Sequence, residues 1–196
     1  MSTTTTSSTT PQVDFSRQLL VAMPGMVGGS LADTVIYICE HNDEGALGVV
    51  VNRPMDLTVG DLLKRLDLEL SLEIGVRQAF PVFFGGPVQT DRGFVLHTPV
   101  GDYSSSIVIG DLALTTSRDV LQDVAAGSGP DHLLVTLGYA GWGAGQLEEE
   151  MAQGAWLHVE ADADILFEVP AAERYHAALA QLGIDPIMLT GTAGHA

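Results

Sequence analysis

Apolar and polar positions along this chain fall into short blocks rather than long stripes. Leu19 to Met23 is a brief apolar run, closed by Pro24-Gly25, a dipeptide suited to a type II turn. Thr34 to Glu40 is rich in β-branched and aromatic residues and predicts a strand. Leu47 to Asn52 predicts its hairpin partner across the turn Asn42-Asp43-Glu44-Gly45. Pro54 should end that strand and hold Arg53 extended. Thr58-Val59-Gly60-Asp61 has the spacing of a capping box for a short helix to about Leu66. Residues 67 to 80 are ambiguous. Pro81 to Phe84, Gly93 to His97, Ile107 to Ile109 and Leu112 to Leu114 predict further strands, with Gln89-Thr90-Asp91-Arg92 separating the first two. Thr116-Ser117-Arg118-Asp119 reads as a second capping box, for a helix holding Val120, Leu121 and Val124 and stopping at Gly127.

The stretch Leu134 to Glu149 organises the rest. Leu134, Val135 and Leu137 predict a buried strand. Gly138, Gly141, Gly143 and Gly145, interleaved with Tyr139 and Trp142, predict a glycine-rich turn, and Gln146, Leu147 and Met151 begin a helix to about Gln153. A strand at Ala155 to Val159 follows. Pro170 takes a first helical position, Tyr175, Ala178, Leu179 and Leu182 share one face, and Gly183 is the stop. Hairpins dominate the first half and helices alternate with strands in the second, which predicts one α+β domain with a mixed sheet.

Composition narrows the function classes. The chain has 196 residues, 46% hydrophobic and 17% charged, enough material for one sizeable core. Eight basic residues against 25 acidic ones give a net charge of −17, a field that repels phosphate backbones and anionic lipid, so neither direct nucleic-acid contact nor a membrane partner is expected. No apolar run approaches the roughly 18 residues of a membrane helix. Cys39 is the single cysteine and suits a buried thiol in a reducing compartment. Residues 2 to 10 are all serine or threonine, so residues 1 to 14 are read as a disordered tail on a cytoplasmic protein, with the folded domain running from 15 to 196.

The chemical motifs mostly fail their tests. The glycines around Trp142 miss dinucleotide spacing by one position, and no lysine follows them as a P-loop requires. No G-x-S-x-G is present, the six histidines are scattered, and Asp162-Ala163-Asp164 continues into Leu166 and Phe167 where a calcium loop needs polar residues and glycine. No catalytic residue, metal or cofactor is therefore expected. Arginines remain. Arg53, Arg92 and Arg118 each lie beside a predicted turn; converging, they would form a cationic pocket suited to carboxylate or phosphate. The alternative is that each pairs with an aspartate such as Asp91, Asp111 or Asp119 and ties loops together.

Taken together, LLVAMPGM, VIYICEHNDEGALGVVVNRP, FGGPVQTDRGFVLH, SRDVL with GSGP, LGYAGWGAGQLE and LTGTAGHA resemble the YqgE/AlgH family of bacterial proteins, in order, from about Leu19 to the last residue. The resemblance implies a bifurcated mixed sheet, part of it barrel-like, with helices around it, and a cytosolic setting. It carries over no reaction, substrate or catalytic residue. Some members are described as transcriptional regulators, which the acidity of this chain makes an indirect role, through a protein or small molecule.

Two functional expectations follow. One is a non-catalytic binding or regulatory protein whose ligand surface comprises Arg53, Arg92, Arg118, Gly85, Gly86, Tyr139, Gly141, Trp142 and Gly143, with an anionic small molecule or a protein as partner. The other is an enzyme acting on an anionic small molecule, with those arginines as anchors and His41 or His97 as acid or base.

Overall fold

The first half of the chain builds hairpins, as its alternating turns and β-branched runs predict. In the computed structural model, which describes residues 12–190, it forms β1 (Gln18–Ala22), β2 (Val35–Asn42), β3 (Gly45–Val50), β4 (Pro54–Thr58), α1 (Val59–Arg65), β5 (Pro81–Phe84) and β6 (Val88–Thr98). The second half forms β7 (Ser106–Ile109), β8 (Leu112–Thr115), α2 (Arg118–Ala125), β9 (His132–Gly143), α3 (Gln146–Ala152), β10 (Trp156–Glu160), α4 (Ala163–Phe167), α5 (Arg174–Gln181) and α6 (Pro186–Thr190). The serine/threonine tail up to residue 11, and residues 191–196 of the closing motif, lie outside the described residues.

The sheet runs β10-β1-β2-β3-β9-β6-β8-β7, with β4 and β5 branching off. The branch point is β9. One edge pairs antiparallel with β6 from His132 to Tyr139. The other edge pairs first with β5, in parallel at Thr136 and Leu137, and then with β3, antiparallel from Ala140 to Gly143. Parallel and antiparallel ladders on one edge make the sheet mixed and bifurcated, and the antiparallel part curls into a half-barrel.

This corrects the predicted glycine turn: the chain stays in β9 as far as Gly143, and only Ala144-Gly145 separate strand from helix. Glycine is required there for backbone packing. Gly138 has φ +78, and a Cβ on it would overlap the Gly86 carbonyl; Cβ atoms on Gly85 and Gly86 would overlap the Gly138 carbonyl and the Tyr139 backbone. Where β5 hands the edge over to β3, main chains approach too closely for any side chain. Gly85 fixes the exchange, donating to Leu137 O and accepting from Val50 N, both at 2.8 Å.

Apolar side chains fill both faces. Leu19 and Val21 of β1 pack with Tyr37, Leu96, Leu134 and the helical Leu166 and Leu179; Leu20 and Ala22 face the other way, toward Ile36, Trp142, Leu147 and Trp156. Burial on both faces explains why β1 reads as a continuous apolar run. A third cluster joins α1 and α2 to the sheet through Leu63, Val82, Val120, Val124 and Val135.

Local signals fared unevenly. The capping box at α1 is present: Asp61 N donates to Thr58 Oγ1 at 3.1 Å and Thr58 N to Asp61 Oδ2 at 3.4 Å. The second predicted box is not. Helix α2 starts one residue later, at Arg118, capped by Ser117 without a side-chain cap bond. Asp119 instead accepts from Ser117 Oγ, Ser104 N and Ser104 Oγ, bonds that hold its carboxyl down at about 2. Pro54 begins β4 rather than closing the preceding segment, its partner being Phe83. Pro170 caps a 3-10 turn, Ala171–Glu173, and α5 starts only at Arg174.

Candidate functional site

Arg92 and Arg118 come together; Arg53 does not join them. Arg92 lies in β6, at the end of the irregular segment between Val88 and Gly93 where the ladder to β9 is interrupted. Arg118 opens α2. Both line a cleft of about 200 Å³ whose floor is Leu62, Leu66, Val95, Leu121, Val135 and Leu137, with Asp91 and Thr116 at its sides. Arg92 and Thr116 also line a neighbouring cleft of about 390 Å³, together with Phe94, Ser106, Ile107, Leu114 and Tyr139. Arg53 instead donates to Ser30 O at 2.7 Å and to Ala32 O, holding that loop against the start of β4.

The predicted arginine–aspartate ties are not found. Among the described residues, no arginine lies within 4.0 Å of a carboxylate; the ion pairs there involve His41 and His132. Arg118 Nη2 donates to Leu66 O at 2.5 Å, Arg92 Nη1 to Gln89 Oε1 at 3.2 Å, and Arg92 also sits 5.6 Å from the centre of the Phe94 ring. A guanidinium carries five N–H donors. Most of those on Arg92 and Arg118 are uncommitted among the described residues.

The remaining predicted residues divide. Tyr139 stands edge-on to Phe94, 5.6 Å between ring centres, and lines the second cleft. Trp142 belongs to the core: it is 6% exposed, and its indole N–H and that of Trp156 both donate to Glu150 Oε2 at 2.8 Å. Gly85 and Gly86 are occupied by backbone packing, and Gly141 and Gly143 lie within β9 opposite β3.

The two histidines have different fates. His41 Nδ1 accepts from Phe15 N at 3.0 Å, so its Nε2 carries the proton that meets Glu148 Oε1 at 2.5 Å. It joins the N-terminal segment to α3 and lines neither cleft. His97 is fully buried. Its Nδ1 must donate to Pro99 O (3.0 Å), leaving Nε2 to accept from Thr115 Oγ1 (2.7 Å), which in turn accepts from Ser106 Oγ (2.7 Å). Burial lowers its pKa and keeps the ring neutral. Thr115 lines the first cleft and Ser106 the second. The sequence carries a partial signal for this hydrogen-bonded chain: His97 ends one predicted strand, and Ser106 and Thr115 flank the predicted strands Ile107 to Ile109 and Leu112 to Leu114, which the structure extends to include them.

Among the described residues, no group of three or more histidine, cysteine, aspartate or glutamate side chains is placed to hold a metal, and no helix is long and apolar enough to cross a membrane. Cys39 is buried, its thiol pushed far up by desolvation.

Comparison with known proteins agrees across most of the chain. A family profile described as AlgH-like (DUF179) matches residues 19–187. A UPF0301 protein of Bordetella petrii is 70% identical over 186 residues, covering 95% of this chain and 92% of its own. One from Ralstonia nicotianae is 54% identical over 185 residues, covering 94% and 96%. The solution structure of AlgH from Pseudomonas aeruginosa superposes with a TM-score of 0.77 at 46% identity, over 97% of this chain and all of that one. A crystal structure of a Corynebacterium diphtheriae protein shares the fold at a TM-score of 0.68 and 18% identity. With its fold, its motifs and these bacterial relatives in agreement, the chain belongs to the AlgH-like family.

Proposed function

We propose that this is a non-catalytic binding protein of the bacterial cytoplasm, acting through an anionic ligand or an acidic protein segment held between Arg92 and Arg118. One observation carries the reading. In a chain of net charge −17, two guanidinium groups share an apolar-floored cleft, with neither paired to a carboxylate. Carboxylate and phosphate groups match that donor geometry. Tyr139 extends the surface beyond Arg92, while Arg53 and Trp142 stand outside it. A regulatory role then runs through this ligand or partner, and DNA contact is not part of it. A thermal-shift screen with nucleotides, phosphosugars and carboxylates tests the site. The expected result is a stabilised wild type and no response in Arg92→Ala or Arg118→Ala. No stabilising ligand, together with a partner pull-down indifferent to Arg92→Ala, sinks the reading.

A second reading, an enzyme acting on such an anion, draws on the chain from His97 through Thr115 to Ser106 at the cleft wall. It requires turnover that Thr115→Val abolishes while the ligand still binds.

A further inference from the structure

A different cavity, of about 500 Å³, opens where the start of β1, the β7–β8 turn and the segment after β10 meet. Its lining includes Arg17, Tyr37, Asp111 and Glu160, over an apolar wall containing Ile109 and Leu166. Among the described residues, the Tyr37 hydroxyl and the Arg17 guanidinium both lack partners there. Tyr37 is 2% exposed, and its hydroxyl makes no hydrogen bond among the described residues. No polar side-chain atom among them is both sealed and unbonded, so this hydroxyl opens outward, and the cavity is what it lines. Arg17 makes no side-chain hydrogen bond or ion pair there, unlike Arg53, Arg77, Arg118 and Arg174, which all donate to backbone carbonyls.

The Arg17 backbone is nevertheless held in place. It has φ +70, an uncommon conformation for a side-chain-bearing residue, and is pinned between neighbours: Arg17 N donates to Ile38 O at 2.9 Å, and Arg17 O accepts from Ala161 N at 3.2 Å. Its guanidinium rests on Gly110, where an added Cβ would meet Nη2 at 2.8 Å. The positive charge is felt by the Tyr37 hydroxyl, although desolvation dominates and drives that phenol well above its ordinary range. A neutral phenol and a guanidinium with its donors uncommitted together make a donor pair for a carboxylate.

The rim has the opposite sign. Neither Asp111 nor Glu160 has a side-chain partner among the described residues, and together they outweigh Arg17 by one charge. A purely anionic ligand gains at one end and is repelled at the other. A molecule with an anionic and a cationic end satisfies both.

We propose that this cavity binds a small zwitterion of the α-amino-acid class, its carboxylate on Arg17 and Tyr37, its ammonium toward Asp111 and Glu160, and an apolar side chain against Ile109 and Leu166. The site is separate from the Arg92–Arg118 cleft and stands or falls independently of it.

Amide-resonance titration of the full chain with the standard amino acids, their amines and their carboxylic acids, each to roughly 10 mM, tests it. At least one amino acid with an apolar side chain should shift the amides of Arg17, Gly110 and Asp111. Its parent carboxylate and amine should each bind about tenfold more weakly, and Tyr37→Phe, which keeps the buried ring, should weaken binding by about tenfold. Arg17→Gln should abolish the shifts, whereas Arg92→Ala should leave them intact. The proposal fails if no amino acid shifts those amides, if carboxylates alone bind as tightly, or if Tyr37→Phe and Arg17→Gln bind as the parent does.

Discussion

Glu150→Ala deletes a single carboxylate whose Oε2 accepts from the indoles of Trp142 and Trp156, rings standing edge-on with their centres 6.0 Å apart. Both tryptophans are buried, at 6% and 3% exposure. An unsatisfied buried donor costs about 1–3 kcal/mol. Two of them set a ceiling near 6 kcal/mol, but Glu150 is only half-buried and water can reach the vacated space. About 2–3 kcal/mol is therefore expected, which for a chain of this length lowers Tm by roughly 4–12 °C. Helix propensity opposes the effect, since alanine is the better helix former, so a loss cannot come from that source. Glu150→Gln keeps an acceptor oxygen and should fall within about 1 kcal/mol of the parent. The chain has only these two tryptophans, so indole emission reports the site directly alongside a thermal melt. Matching melts for Glu150→Ala and the parent, with unchanged emission, would refute the argument that this carboxylate holds the two rings.

Other perturbations separate backbone packing from ligand binding and test the buried histidine. Gly138→Ala should destabilise by several kcal/mol or abolish folding, because φ is +78 and the Gly86 carbonyl fills the space, whereas Gly143→Ala, whose nearest atom is Gln146 Oε1 at 3.9 Å, should fold and melt close to the parent. Equal urea midpoints for the two would contradict the packing account. His97 is held neutral by burial, its folded pKa below the unfolded value of 6.5, so its contribution is present above 6.5 and is lost as pH falls from there to the folded value. The difference in unfolding free energy between the parent and His97→Gln, measured from pH 8 downward, should narrow below about pH 6.5; a constant difference rules the linkage out.

Much of the fold was legible because the strands obey local rules. The β2–β3 hairpin follows from β-branched runs flanking Asp43-Glu44, and α1 from its capping box. Helix α2 was displaced by one residue because Asp119 binds Ser104, a contact made across a loop that no local pattern encodes. Long-range packing also disguised β9. Its glycines looked like a turn because a sequence shows where side chains are missing but not which backbone has moved in. The arginine cluster was half legible for the same reason: turn-side placement marked Arg53, Arg92 and Arg118 alike, and only the paths of β4, β6 and α2 decide which of them meet. Arg17, in Phe-Ser-Arg-Gln, carried no distinguishing mark. Its role depends on Gly110, which is distant in sequence.

The branching at β9 has a consequence for synthesis on the ribosome. Strands β3, β5 and β6 all leave the exit tunnel before their shared partner, so each waits with an unpaired edge until residues 132–143 are made. Loop closure of that span delays the main ladder, and productive collapse awaits the last third of the chain. Nascent fragments ending before His132 should therefore stay protease-sensitive and prone to self-association, and acquire resistance together once the missing strand is free to insert.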